Sequence, residues 1–240
     1  MPMSTSRLVN KIDRRLTQLA LAPIEVFVFH CVSDTFDPSL CQRQDWTPTD
    51  YFKHQIQQLK SQYTFITLPE VYHRLTHDRF RRTKYAALTC DDGNASILSI
   101  LPFLSSEQVP LTLFINPKYL DGISIRENYC SHPRYITLDQ LSAIQSPMVN
   151  IAMHGFTHDD CTLMSRTDFD ASVSKCEELL KQHPRYIRYY AYTWGRYNNT
   201  TQSVLRERNI IPLFCDGASN RRYRDGISRR CIDTPGTVRL

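Results

Sequence analysis

Apolar residues recur along the 240-residue chain in short runs separated by polar stretches of helical spacing. The first run, residues 24–30, is Ile-Glu-Val-Phe-Val-Phe-His, rich in β-branched and aromatic side chains, and predicts a largely buried strand. Runs at 64–67, 85–89, 111–115, 149–153, 186–192 and 210–214 predict further strands, with Leu-Thr-Leu-Phe-Ile at 111–115 the clearest. Between them the period changes. Phe52, Ile56 and Leu59 recur at helical spacing behind Thr47-Pro-Thr-Asp50, predicting a helix over 51–63. Further helices are predicted over 68–75, 95–104, 138–144, 165–182 and 200–208, the one over 165–182 opened by a capping arrangement of Ser165 and Asp168. A helix is also expected over 5–19, and a long connection over 116–135.

Strand and helix alternate throughout, which favours a parallel sheet joined by crossover helices over an all-α or all-β scheme. About seven strand-helix units predict a barrel. An open doubly wound sheet is the alternative, and no G-x-G-x-x-G follows the first strand to support it. The length suits one core, so the expectation is a single α/β domain over 24–240 with a helical extension over 1–23.

Composition narrows the function classes. With 41% apolar and 22% charged residues the chain reads as an ordinary soluble globular protein. The net charge of +5 suggests a polyanion partner, but residues 221–230 hold five Arg and one Asp, leaving about +1 for everything else. That cluster reads as a solvated face or a set of ion pairs, ahead of an anion site, and no nucleic-acid partner is expected. No stretch approaches the ~20 apolar residues of a membrane span, and no export signal is visible before Pro23. The eight cysteines form no C-x-x-C pair, so reduced thiols and a cytoplasmic location are expected.

Candidate chemistry sits where two of the apolar runs end. His154-Gly-Phe-Thr-His158 follows Met148-Val-Asn-Ile-Ala-Met153, and Asp91-Asp92-Gly93 follows Leu88-Thr-Cys90. Two imidazoles four apart plus a carboxylate from another strand end supply three N/O ligands and leave one position for water, the arrangement of a hydrolytic zinc-type centre. Asp91 and Asp92 are neighbours that a regular strand would send to opposite faces, a constraint that relaxes at a strand end. The pair alone does not say which is ligand and which is base. His30 closes the first strand and is a candidate proton donor or a hydrogen-bonding rim residue; Asp34 is a candidate to orient it. His54, His73, His77, His132 and His183 are expected at the surface.

Thr89-Cys-Asp91-Asp92-Gly93, the His154 to Ser165 stretch and Tyr190-Ala-Tyr-Thr-Trp-Gly195-Arg-Tyr-Asn198, in that order, resemble the successive motifs of the polysaccharide deacetylase family, carbohydrate esterase family 4 with the NodB-homology domain. Val26-Phe-Val-Phe-His30-Cys-Val-Ser33-Asp34 and Thr49-Asp-Tyr-Phe52 are similar to its circularly permuted members, so the resemblance spans roughly residues 24 to 215. It implies a distorted (β/α)7-type barrel and metal-dependent removal of an N-acetyl group from an amino sugar in a polysaccharide, oligosaccharide or glycolipid precursor.

Carried over by position, Asp92, His154 and His158 would hold one divalent metal, Zn with Co or Ni able to replace it. Asp91 would be the catalytic base and His30 the general acid, with Trp194 and Tyr192 at the substrate and oxyanion. The Arg usual in the third motif is absent from Ala191-Tyr-Thr-Trp-Gly195, Gly155 replaces a commoner hydroxyl residue, and no histidine follows His183. Two other readings remain: a hydrolase of another non-peptide C–N bond, and a weakened carbohydrate-binding protein of the same fold. The sequence leaves the glycan, its carrier and the oligomeric state open.

Overall fold

In a computed structural model of the chain, residues 21–38, 41–120 and 135–233 are described. The strands are β1 (Ile24–Phe29), β2 (Cys31–Ser33), β3 (Trp46–Pro48), β4 (Thr64–Phe65), β5 (Tyr85–Cys90), β6 (Leu111–Ile115), β7 (Val149–Met153), β8 (Tyr186–Ala191), β9 (Ile211–Phe214), β10 (Ile227–Ser228) and β11 (Arg230–Cys231). The helices are α1 (Thr49–Gln62), α2 (Leu68–His77), α3 (Ile97–Ser106), α4 (Leu138–Ser142), α5 (Arg166–Leu180) and α6 (Asn199–Glu207). The expected helix over 5–19, most of the 116–135 connection and His132 lie outside the described residues.

The sheet runs β10-β9-β8-β7-β6-β5-β1-β11, and each of these pairings is parallel. Its two ends are one piece of chain. β10 lies on β9 and β11 lies on β1, with only Arg229 between them, and the ladder continues through Arg229 N–H to Phe214 O at 2.8 Å and Ile232 N–H to Val28 O at 2.9 Å. The path therefore closes on itself as a seven-staved barrel made of β1, β5, β6, β7, β8, β9 and the 227–231 segment.

The expected number of staves is right, but one of them is not the strand the sequence pattern suggests. The run at 64–67 forms only the two-residue β4, paired to the start of β5 beside the main path. The true seventh stave, Ile227-Ser-Arg-Arg-Cys231, is short and charged, without the apolar run that marks the others. It is a strand because β9 and β1 offer it two open edges, whose backbone groups have to be paired in any case.

Alternation along each strand sorts the core into two layers. Odd positions of β6 and β7 (Leu111, Leu113, Ile115, Val149, Ile151, Met153) pack outward with Phe52 and Ile56 of α1, Ile97 and Ile100 of α3, and Phe169 and Val173 of α5. The opposite set, Val26, Ala87, Phe114, Ala152, Ala191, Leu213 and Ile227, meets in an inner cluster against which α2 places Leu68, Val71 and Leu75. Three of these inner residues are alanines, the small volume that a narrow barrel requires. Among the described residues no helix is long and apolar enough to cross a membrane.

Candidate metal centre and its surroundings

The inward parity that builds the inner core also builds the site. Continuing it one residue past the strands gives His30 after β1, Asp91 after β5 and His154 after β7, while Arg229 is the inward residue two after Ile227. The carboxyl ends of the staves thus gather an imidazole, a carboxylate, a second imidazole and a guanidinium around one mouth of the barrel, where parallel barrels assemble their chemistry.

Asp92 would point away if β5 continued. Instead its backbone turns to φ 73°, in the left-handed region, and its carboxylate joins the site. His158 (φ 59°) and Trp194 (φ 59°) share this conformation, which costs a non-glycine residue about 1–2 kcal/mol. Three of the five non-glycine residues with positive φ among the described residues thus fall at this one locality, where geometry is held for a purpose. Gly155, at φ 76°, is the cheap member of the set: a Cβ there would stand 3.1 Å from the Tyr190 hydroxyl, so both backbone and space disfavour a larger residue at that position.

One oxygen of Asp92 lies 3.3 Å from His154 Nε2 and 3.2 Å from His158 Nε2. All three residues are buried, and their ligand atoms converge within 4.8 Å of one another. His154 Nδ1 is engaged by the Ala191 carbonyl at 2.9 Å, which leaves Nε2 facing the cluster, as the outer hydrogen bond of a ligating histidine does. The turn carrying the histidines is held by buried Asn116, whose amide donates to the carbonyls of His154 and Gly155, the latter at 3.0 Å. Two nitrogens and an oxygen, with both nitrogen–oxygen separations near the ~3.3 Å edge of a tetrahedral zinc site, make a donor set that fits a divalent cation.

Asp91 stands beside this set, 3.8 Å from His154 Nε2. Its two oxygens take a bidentate grip from Arg229 at 2.7 and 2.8 Å, and Arg229 also reaches Thr89 Oγ1 at 3.3 Å and lies 5.2 Å from the centre of the Phe114 ring. Burial alone would raise the Asp91 pKa; the Arg229 charge, with His154, outweighs it and holds the carboxyl below its usual range. The arginine missing from the third motif is therefore replaced from the far end of the chain. Its cluster divides into parts with different work. Arg229 is 1% exposed and belongs to the site, whereas Arg221, Arg222 and Arg224 line a separate cavity of about 450 Å³.

His30 meets Asp233, not Asp34. The Asp233 carboxylate accepts from the His30 backbone N–H at 2.8 Å and lies 2.5 Å from Nδ1, while Asp34 is exposed. Desolvation works against the charged imidazole, but the Asp233 charge and hydrogen bond prevail and the His30 pKa is raised well above its ordinary value. Asp233 and Arg229 were the residues sequence reasoning missed. The one local cue was that Ile227-Ser-Arg-Arg-Cys-Ile-Asp233 ends on a carboxylate, as the chain does after β5.

Trp194 is half exposed and presents its ring edgewise to His158, 4.8 Å between centroids. Tyr192 is placed differently from its expected position at the substrate. It is 1% exposed and packed among Tyr190, Tyr197 and Phe214, because alternation after inward-facing Ala191 puts residue 192 in the outer layer with Tyr190. His183, expected at the surface, is buried between the Leu141 carbonyl and the Arg185 N–H, each 3.2 Å away. His54, His73 and His77 are exposed.

A model of the polysaccharide deacetylase family matches residues 79–211, the stretch that carries Asp91, Asp92, His154, His158 and Trp194. The chain belongs to that family. Among solved structures, IcaB from Ammonifex degensii superposes with a TM-score of 0.75 at 19% identity, covering 89% of this chain and 93% of that one. The Streptococcus pyogenes deacetylase PplD in complex with acetate gives 0.69 at 19% identity, covering 88% and 93%. A de-N-acetylase from Aggregatibacter actinomycetemcomitans gives 0.67 at 16% identity, covering 88% and 95%. No curated protein matches the chain. The likeness to these structures supports the barrel over the open sheet, and family membership makes the chain a carbohydrate deacetylase by class. His30, Arg229 and Asp233 fall outside the matched 79–211 stretch, and the closed barrel brings them back to it.

Proposed function

We propose that this polysaccharide deacetylase removes an N-acetyl group from an amino sugar of a glycan or glycolipid precursor, with Asp92, His154 and His158 as the ligands of one divalent cation, zinc by donor type. The observation that carries this reading is the pairing of two opposed proton-handling groups around those ligands: Asp91 on Arg229 and His30 on Asp233.

An amide carbonyl is a poor electrophile with a poor leaving group, so help is needed at three atoms. A cation bound there would supply two kinds of help, polarising the carbonyl and lowering the pKa of a water from 15.7 to about 7. Asp91 then needs to be ionised more than it needs to be strongly basic, and the Arg229 fork secures that. His30 supplies the third. Asp233 grips Nδ1, so the proton available for transfer is the one on Nε2, and the raised pKa keeps the ring protonated at neutral pH until the departing nitrogen takes that proton. The Trp194 backbone amide is assigned to the developing oxyanion, and the exposed Trp194 ring offers an apolar face to a sugar. Tyr192 has no place in this proposal. The cytoplasmic setting expected from the sequence is part of it.

Acetate release from N-acetylglucosamine oligomers tests the reading. His30→Ala and Asp91→Asn should each lower kcat by roughly 10²–10⁴-fold with metal retained; turnover unchanged in either variant would remove that residue from the mechanism.

A further inference from the structure

A second constellation of metal-binding side chains lies beside the first and shares no residue with it. His30, Cys231 and Asp233 bring one nitrogen, one sulfur and one oxygen within 4.8 Å of one another. Cys231 Sγ is 3.1 Å from the same Asp233 oxygen that lies 2.5 Å from His30 Nδ1. The donors come from the end of β1 and from the closing stave, so they meet through the barrel's closure and not by closeness in sequence. The proton-transfer chemistry assigned above uses His30 and Asp233 and gives the thiol no task.

We propose that His30, Cys231 and Asp233 form a second, regulatory site for a thiophilic divalent ion such as zinc, and that filling it withdraws the His30 imidazole from proton transfer. The regulatory half of the proposal rests on the function proposed above; the metal site itself does not. Mixed N/S/O donors suit zinc, and the sulfur discriminates against magnesium and calcium. The pocket is reachable: the His30 side chain is 22% exposed and Cys231 is partly exposed, while Asp233 is buried and fixed.

Geometry orders the two sites. In the Asp92 cluster the nitrogen–oxygen separations of 3.2 and 3.3 Å already equal the ~3.3 Å edge of a tetrahedral zinc site. In the second cluster the 2.5 Å contact of His30 with Asp233 has to open toward that value, breaking a hydrogen bond first. The second site is therefore the weaker and fills only when zinc exceeds one equivalent. Binding forms one metal–sulfur, one metal–nitrogen and one metal–oxygen bond. It releases to solvent the thiol proton of Cys231 and the proton held between His30 Nδ1 and Asp233. The imidazole left behind is neutral and carries only an Nε2–H, which is no acid at neutral pH.

The test is a cadmium titration of the metal-free full chain, followed by metal content and by the near-ultraviolet charge-transfer absorption of a cadmium–thiolate bond. The wild type should bind two equivalents, with that absorption arising from only one of them. Cys231→Ser and Cys231→Ala should bind one equivalent without the absorption, and His154→Ala/His158→Ala should bind one with it. Excess zinc should then lower acetate release at least tenfold in the wild type and leave Cys231→Ser at its own one-equivalent rate. Saturation of the wild type at one equivalent overturns the site, as does a thiolate absorption that persists in Cys231→Ser. A protein with both metal signatures but no deacetylase activity would overturn the function proposed above and keep the second site.

Discussion

Replacing Arg229 by methionine keeps most of the side-chain volume and removes the one cation that faces Asp91 across two hydrogen bonds of 2.7 and 2.8 Å. Both partners are buried, with side chains 1% and 5% exposed, so little water is available to take over. Charges about 4 Å apart interact by about 4 kcal/mol at an effective dielectric of 20, and deleting one member of a buried pair costs about 3–5 kcal/mol. Asp91 can escape by taking up a proton, at a cost near pH 7 of about 4 kcal/mol from an ordinary carboxyl pKa near 3.9. The two routes agree, and the expected loss is ~3–5 kcal/mol. With a urea m-value of about 3 kcal/mol/M for a chain of this size, the unfolding midpoint of the metal-free protein should fall by about 1–1.7 M at pH 7.

The pH dependence sharpens the test. In the wild type Asp91 has a folded pKa below its unfolded one, so its stabilisation is present above the unfolded pKa and is lost as pH falls through the folded value. In Arg229→Met desolvation is no longer outweighed, the folded pKa rises above the unfolded one, and the carboxyl destabilises the fold increasingly as pH climbs from about 4. The gap between the two proteins should therefore narrow toward pH 4. A midpoint shift below about 0.3 M at pH 7, or a gap independent of pH, would refute the view that this pair is a buried, mutually dependent charge couple.

Asp233→Asn should move the alkaline limb of the kcat/KM profile to lower pH, because the charge that raises the His30 pKa is gone and the ring loses its proton earlier; an unmoved limb would show that Asp233 does not govern the acid. Gly155→Ala should lower Tm by several degrees, through ~1–2 kcal/mol of left-handed strain plus the 3.1 Å approach to Tyr190, and should cost more than Gly217→Ala, where φ is 70° with nothing within 4 Å. Phe169→Ala, which empties a fully buried position of α5 against Tyr190 at 5.6 Å, should cost about 3–5 kcal/mol of stability in a denaturant titration without changing metal content.

The parts of this molecule that announce themselves in the sequence are those where an apolar run stops on a chemical group. β1, β5 and β7 each end that way, so His30, Asp91, Asp92 and His154 could be placed at one barrel mouth before any contact was known. What stayed hidden depended on pairing across more than 130 residues of chain. Arg229 looks like one more member of a surface cluster until β9 and β1 are seen to enclose it, and Asp233 has no partner in its own neighbourhood. A charged five-residue stave is made a strand by its neighbours' open edges, information that local periodicity does not contain. Tyr192 is kept from the barrel mouth by local alternation: Ala191 faces inward, Tyr190 and Tyr192 fall in the outer layer, and Tyr197 and Phe214 pack on the Tyr192 ring.

Metal content of protein purified without added metal tests the central claim most directly, comparing wild type with His154→Ala/His158→Ala. One bound equivalent of zinc or a similar divalent ion in the wild type and none in the double variant is the result this account predicts. A wild type that binds no metal even when one equivalent of zinc is supplied, or a double variant that keeps the same equivalent after Cys231→Ser is added, would contradict it.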